Sequence, residues 1–452
     1  MQTENKLREP FLILLISVVA LSFFSFVNTE FTFGAYQTKK VDLFSEIRFF
    51  PKHFLFPAPD MVFADVLKDS LRKIKREKEL YGIASFSKDT IGSMDRFYFA
   101  LSETKKKKKK TRIAYFGDSM VEGDLLTMDL RSFFQKAFGG NGVGFVPITS
   151  IVAGFRTTII HSFSSDWTDY NFSKGGGGEH PLGPSGHCFI ASGGSYVKYT
   201  AAKYSGSFNQ VKLYYGKGND NCKVSVTNGG STNEITLNGT NTVNEAVINE
   251  SGSVNSVTMS FNCPATNIYG ASFESGTGVY VDNYAFRSNS GLTFSGVPTS
   301  LYQGFDNYFD YDLIVLHYGL NAVGHKVKTY KWYFDAFQKT VQHIKSSFPN
   351  ASILIIGMSD KGYKSGGEWQ TEPDIPIFVE LQKKLAKEEG LAFWNLYENM
   401  GGFNSIKQWV EGDTAYANKD YAHPNHRGAT RMATLLYDKL MKGYKEYEAK
   451  LE

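Results

Sequence analysis

The chain has 452 residues, 42% of them hydrophobic and 21% charged, and a net charge of +4. This is the composition of a globular protein, and the length exceeds one ordinary core, so two folded units with additions are expected. Six of the positive charges sit in one run, Lys105 to Lys110, which reads as a solvated linker. Without zinc-finger spacing or an RNA- or DNA-binding motif, nucleic acid is not expected as a partner.

At the N-terminus, Lys6 and Arg8 precede an uncharged stretch from Phe11 to Val27, FLILLISVVALSFFSFV. It is at the lower limit for a spanning helix and slightly long for a signal peptide. Asn28, Thr29 and Glu30 follow with no small-x-small cleavage site, and the first cysteine is Cys188, which excludes a lipoprotein signal. Residues 1–29 therefore read as an uncleaved signal anchor, with secretion after cleavage as the alternative, and the rest of the chain is expected outside the cytoplasm at the inner membrane. Residues 30–84 read as a connecting arm, rich in Phe and Pro, that leads to a charged helix at 64–80. An amphipathic helix is expected at 89–101.

The first part of an α/β domain is expected over 85–160. RIAYFGDS is a short apolar strand ending in glycine, and from Leu125 to Phe138 the residues Met128, Leu130, Phe133, Phe134 and Ala137 share a helical face. GGNGVGFVP, 139–147, reads as a glycine-rich loop. Between 161 and 275 charges thin out and short alternating runs recur at 210, 222, 233, 244 and 256, separated by turn clusters, which predicts an inserted antiparallel β-sandwich. From 276 to 452 unpunctuated apolar strands (GVYVDNY, DLIVLHYG, SILIIGM) alternate with helices at 329–346 and 374–389, which predicts a parallel sheet covered on both faces. The fold class is thus a three-layer α/β/α parallel sheet interrupted by a sandwich. Cys188, Cys222 and Cys263 form no C-x-x-C pair, which argues against a zinc ribbon or redox dithiol and leaves their pairing open, a Cys222–Cys263 bridge being one option.

In an open parallel sheet, reactive groups collect in loops at the carboxyl ends of strands. Gly117-Asp118-Ser119 follows a strand and precedes a helix, a place where backbone N–H groups favour a developing anion; a helix cap explains the tripeptide equally well. Gly319-Leu320-Asn321 offers a side-chain amide at a strand end, though Gly and Asn are also ordinary turn residues. Asp420-Tyr421-Ala422-His423-Pro424 offers an imidazole base with a carboxylate three residues away to orient it; His426 is the local rival. No third ligand accompanies His423 and His426, so no metal or other cofactor is expected.

In their order and contexts these blocks resemble the SGNH (GDSL-like) hydrolases: Gly117-Asp118-Ser119, Gly319-x-Asn321 and Asp420-x-x-His423. The resemblance implies a carboxylic ester hydrolase with Ser119 as nucleophile, His423 as general base and Asp420 as its orienter. It implies an oxyanion hole from the Ser119 N–H, the Asn321 side chain and a residue after GVYVDNY, where Ser288 stands in the place of the family's glycine and Gly291 is a second candidate. Asp118 and Gly319 are expected to line the substrate site. EGD after the serine, GGNGVGFVP, V-D-N-Y and the sandwich insert are most similar to periplasmic peptidoglycan O-acetylesterases. That likeness implies an acetylated glycan as substrate, deacetylated at the C6 hydroxyl of N-acetylmuramic acid, with the insert as a carbohydrate-binding module. An esterase on another polysaccharide, an O-acetyltransferase and a non-catalytic glycan-binding envelope protein remain the alternatives.

Overall fold

The computed structural model describes residues 81–451 except 176, 204, 251 and 325–328, together with two short strands, Thr32–Phe33 and Tyr36–Gln37, that pair antiparallel within a separate unit, Met1–Lys75. The expected anchor at 11–27 and the charged helix at 64–80 lie outside the described residues. Among the described residues no helix is long and apolar enough to cross a membrane.

The second unit is built on a six-stranded sheet. Its strands run in the order Gly278–Ala285, Lys110–Gly117, Leu313–His317, Ser352–Gly357, Ala392–Asn395 and Ile83–Ser85. The first five are parallel and the last is antiparallel. Their side chains alternate between two cores, as the period of two requires. Ala114, Phe116, Ile314, Leu316, Ile353 and Ile355 face one core, covered by the helices Thr299–Phe309, Lys331–Ser347 and Ile375–Glu389. Ile113, Tyr115, Leu313, Val315, Leu354 and Ile356 face the other, under Asp95–Lys107, Thr127–Phe138 and His426–Leu451. This is the expected three-layer arrangement.

Between the neighbouring strands Lys110–Gly117 and Gly278–Ala285 the chain makes a long excursion into two antiparallel sheets. One holds Asn244–Asn249, Gln210–Tyr215, Ile268–Ser275, His187–Ile190 and Thr168–Asn171; the other holds Ser231–Thr236, Lys223–Asn228, Ser256–Asn262, Ser195–Ala201 and Ile159–Phe163. Val197, Val211, Leu213, Met259, Phe261 and Phe273 fill the space between them. Cys222 and Cys263, at the ends of paired strands, are joined by a disulfide, and Cys188 is free and buried.

The segment read as a glycine-rich loop is instead a strand, Asn141–Pro147, paired with Ile268–Ser275, so the sandwich begins ahead of the expected boundary at 161. Its glycines are needed for close approach: a Cβ on Gly144 (φ +67) would sit 2.0 Å from Asp282 Oδ1, and one on Gly142 (φ +119) 2.3 Å from the Phe273 carbonyl. A buried ion network fixes this strand pair to the parallel sheet. Arg112 bonds both Glu274 and Asp282, Lys110 reaches Glu274 at 2.6 Å, and Asp282 accepts the Phe145 N–H at 2.7 Å. The insert is therefore bolted to the sheet rather than hung from it.

Candidate active site

Three loops at the carboxyl ends of adjacent strands converge. Gly117 ends one strand, and a Cβ there would strike Val121 at 2.7 Å, so glycine permits the sharp turn that presents Ser119. The helix expected from Leu125 begins at Thr127, after a short 3₁₀ turn at Glu122–Asp124 that separates it from the serine. The serine therefore sits in a turn, not on a helix N-terminus. Asn283 holds that turn by donating to the Val121 carbonyl at 2.8 Å.

Ser119 Oγ lies 2.9 Å from His423 Nε2, and His423 Nδ1 lies 2.8 Å from Asp420 Oδ2. Asp420 Oδ1 accepts the backbone N–H groups of Ala422 and His423, each at 3.0 Å. Partial burial pushes the Asp420 carboxyl up, but these bonds and the imidazole outweigh it and hold it below the usual carboxylate range. His426 points elsewhere and stacks on Phe155, with ring centroids 5.4 Å apart. A hydroxyl against an imidazole that is itself backed by a carboxylate is an arrangement able to deprotonate the hydroxyl for attack.

The donors around Ser119 are distributed over three loops. Neither the Ser119 nor the Ser288 backbone N–H has a partner among the described residues. Ser288 is exposed and adopts φ +60, the left-handed conformation a glycine would take there freely. The Gly291 N–H, the other candidate, is spent on Asn289 Oδ1 at 2.7 Å, and a Cβ on Gly291 would run into Tyr318 and Phe337 in the core. Asn321 Nδ2 donates to Asp118 Oδ2 at 3.1 Å and to the Asn289 carbonyl at 3.0 Å.

Two expected substrate contacts turn out to be supports. Asp118 is 1% exposed, with its oxygens taken by the Met120 N–H and the Asn321 amide, so it orients Asn321 and the turn rather than meeting a ligand. Burial pushes its carboxyl up to about 7, against the pull of the Met120 N–H, His423 and Asn321. Gly319 is buried with φ +140, and a Cβ there would collide with Met358 at 2.6 Å. It lets the Asn321 loop pack onto the core.

Sequence reasoning missed other parts of the site. Asp124, buried at φ +68, is gripped by the two terminal Nη nitrogens of Arg131 at 2.8 Å and by the Thr158 hydroxyl at 2.6 Å; only the EGD triplet hinted at it. A hairpin, Gly362–Ser365 with Glu368–Thr371, stacks Trp369 on Tyr421 of the histidine loop, and nothing in its sequence pattern announced it. A cleft of about 340 Å³ opens between the sandwich and the parallel-sheet domain, lined among others by Ser288, Arg287, Glu122, Asp169 and His187. Ser185 Oγ is buried in its wall without a hydrogen-bond partner in the structure. Among the described residues no cluster of His, Cys, Asp or Glu is grouped to hold a metal.

Residues 256–431 match the GDSL-like Lipase/Acylhydrolase family. The chain carries a GDSL-like acylhydrolase domain. Ser288, Asn321, Asp420 and His423 fall inside the matched span, and Ser119 is joined to them by the geometry above. With this domain the chain is a carboxylic ester hydrolase. A solved structure described as a peptidoglycan O-acetylesterase in action shares the acylhydrolase fold: it superposes with a TM-score of 0.67 at 21% identity, over 80% of this chain and 99% of that one. A family two carbohydrate esterase from Cellvibrio japonicus (8% identity, 67% of this chain and 98% of that one, TM-score 0.27) and an acetyl xylan esterase (18%, 35% and 80%, TM-score 0.28) are also matched, a likeness too slight to inform the fold. The search of curated proteins finds no match to the acylhydrolase chain.

Proposed function

We propose that the chain is a serine O-acetylesterase acting on a cell-envelope glycan, with peptidoglycan acetylated at the C6 hydroxyl of N-acetylmuramic acid as its substrate. The observation that carries the chemistry is the Ser119–His423–Asp420 relay, with contacts of 2.9 and 2.8 Å. His423 takes the Ser119 proton as Oγ attacks the acetyl carbonyl. The oxyanion forms against the Ser119 and Ser288 N–H groups and the Asn321 amide, which trades its bond to the Asn289 carbonyl for the developing charge. The sugar hydroxyl departs with the proton from His423, leaving acetyl on Ser119; water, deprotonated by His423, then releases acetate.

The choice of glycan is supported by the fold shared with a peptidoglycan O-acetylesterase and by the cleft beside Ser288, which is large enough for a sugar ring and offers Asp169, His187 and Arg287 among its lining. In this reading the sandwich, as a carbohydrate-binding module, forms one wall of that cleft. The hydrophobic stretch at 11–27 holds the protein at the membrane on its extracytoplasmic side. The test is acetate release by the full-length protein from O-acetylated peptidoglycan and from acetylated xylan, beside Ser119→Ala. Release from peptidoglycan that vanishes in the variant is expected; release from xylan alone would move the substrate elsewhere, and no release from either by a folded protein would refute the esterase.

A further inference from the structure

The histidine loop is shaped by a contact from outside it. Between Asp420 and His423 stands Tyr421, whose φ of +55 is a left-handed conformation that a bulky side chain does not hold unaided. Its own N–H donates to the Asn418 carbonyl at 3.0 Å within the loop, and three contacts from outside the loop hold it. The Trp369 ring stacks on the Tyr421 ring, with centroids 4.2 Å apart and planes 11° from parallel. The Gly362 N–H donates to the Tyr421 carbonyl at 2.6 Å, and Tyr421 Oη donates to Glu411 at 2.7 Å. Only glycine fits at 362, since a Cβ there would lie 2.5 Å from Tyr421 Cβ and 3.0 Å from the Trp369 ring.

The hairpin that presents Trp369 and Gly362 is itself fixed. Buried Asp360, just before it, accepts from Thr371 and Ser405 hydroxyls at 3.0 Å and from the Ile406 N–H at 2.8 Å. The neighbouring Lys361 donates to the Leu320 and Val323 carbonyls on either side of Asn321. One element thus touches both the histidine loop and the asparagine loop, while the Trp369 indole lies on Tyr421 and not on Ser119 or His423.

We propose that this hairpin is a brace for the reacting groups, with Trp369 as its positioning residue: the stack holds Tyr421 left-handed, and that turn brings Asp420 Oδ2 under His423 Nδ1. The proposal rests on the role given above to Ser119 and His423. Trp369 acts through Tyr421, so it affects how well the relay is aligned rather than how tightly substrate binds.

The experiment uses the full-length protein and two readouts, the rate at which a fluorophosphonate labels Ser119 and the steady-state release of acetate from 4-nitrophenyl acetate and O-acetylated peptidoglycan. Trp369→Ala is expected to slow labelling and lower kcat on both esters by about 10- to 10²-fold, with KM within about twofold. Trp369→Phe, which keeps a ring on Tyr421, is expected to restore most of the loss; it also separates misalignment from misfolding should the alanine variant be unstable. In a Tyr421→Gly background, where glycine takes the left-handed turn without help, removing Trp369 should cost several-fold less than in the parent. Parent-like kcat and labelling in Trp369→Ala would overturn the brace, as would equal losses in both backgrounds. So would a loss confined to KM on peptidoglycan, the mark of a sugar contact. A parent that is labelled but releases no acetate from peptidoglycan would refute the substrate and leave the brace to be judged by labelling; a parent that is not labelled at all would overturn both.

Discussion

Replacing Glu274 by glutamine removes one charge from the buried network that joins the sandwich to the parallel sheet. Glu274 and Arg112 are 3% and 4% exposed, and Glu274 also takes Lys110 and the Ser272 hydroxyl. Burial alone pushes the Glu274 carboxyl up, but Arg112 and Lys110 overcome it and bring it down to about 2 from an ordinary 4.5. That difference corresponds to about 3 kcal/mol of stability, close to the roughly 3–5 kcal/mol lost when one partner of a buried pair is removed. Because the carboxyl is depressed in the fold, its contribution is complete above about pH 4.5 and is lost as pH falls through 2. Glu274→Gln should therefore melt roughly 5 °C below the parent at pH 7, and the gap should shrink to about half by pH 3. Calorimetry of the full-length proteins at pH 7, 5 and 3 measures both. Its kcat should be unchanged, because Arg112 lies near the amino end of the strand whose carboxyl end leads to Ser119. Equal melting temperatures at pH 7, or a gap that does not change with pH, would refute the network as a stabilising bolt.

Asn321→Ala should lower kcat by about 10²–10³ with little change in KM; undiminished acetate release would remove Asn321 from the oxyanion site. Asp118 and Asp312 are pushed up to about 7 and Asp306 to about 6, all mainly by burial. Their folded carboxyls hold protons that the unfolded chain gives up near pH 4, so stability should decline as pH rises from 4 through 7. Asp118→Asn should flatten that decline, whatever it does to the melting temperature itself; an unchanged slope between pH 4 and 7 would show that Asp118 is not held protonated.

The parallel sheet was legible because its strands are buried on both faces, and apolar runs such as DLIVLHY and SILIIGM have few other uses. The residues brought together at Ser119 were legible as short blocks, Ser119 at a strand end marked by the glycine before it, and Asp420 and His423 by their own spacing in the loop before the last helix. Asn141–Pro147 was not legible: its glycines serve contacts with Asp282 and Phe273, residues more than a hundred positions away, and they erase the alternation that marks a strand. Asp118 and Gly319 were misread because burial, which makes them supports, is a property of the assembled loops. Trp369 could not have been found either, because a short hairpin has no core face and its meaning lies in the ring it meets across the fold.

The path of the chain also bears on the entropy of closing its central sheet. Lys110 pairs with Gly278, so the central sheet must join strands roughly 170 positions apart, a slow closure for an open chain. The sandwich shortens it: Asn141 and Ser275, at its two ends, are register partners across adjacent strands. Once the sandwich has formed, the loop still to be closed is only some 30 residues, which lowers the entropy cost by about 1.5 kcal/mol. By this topology the insert is a clasp: wherever it is formed, the two halves of the central sheet are held a short loop apart.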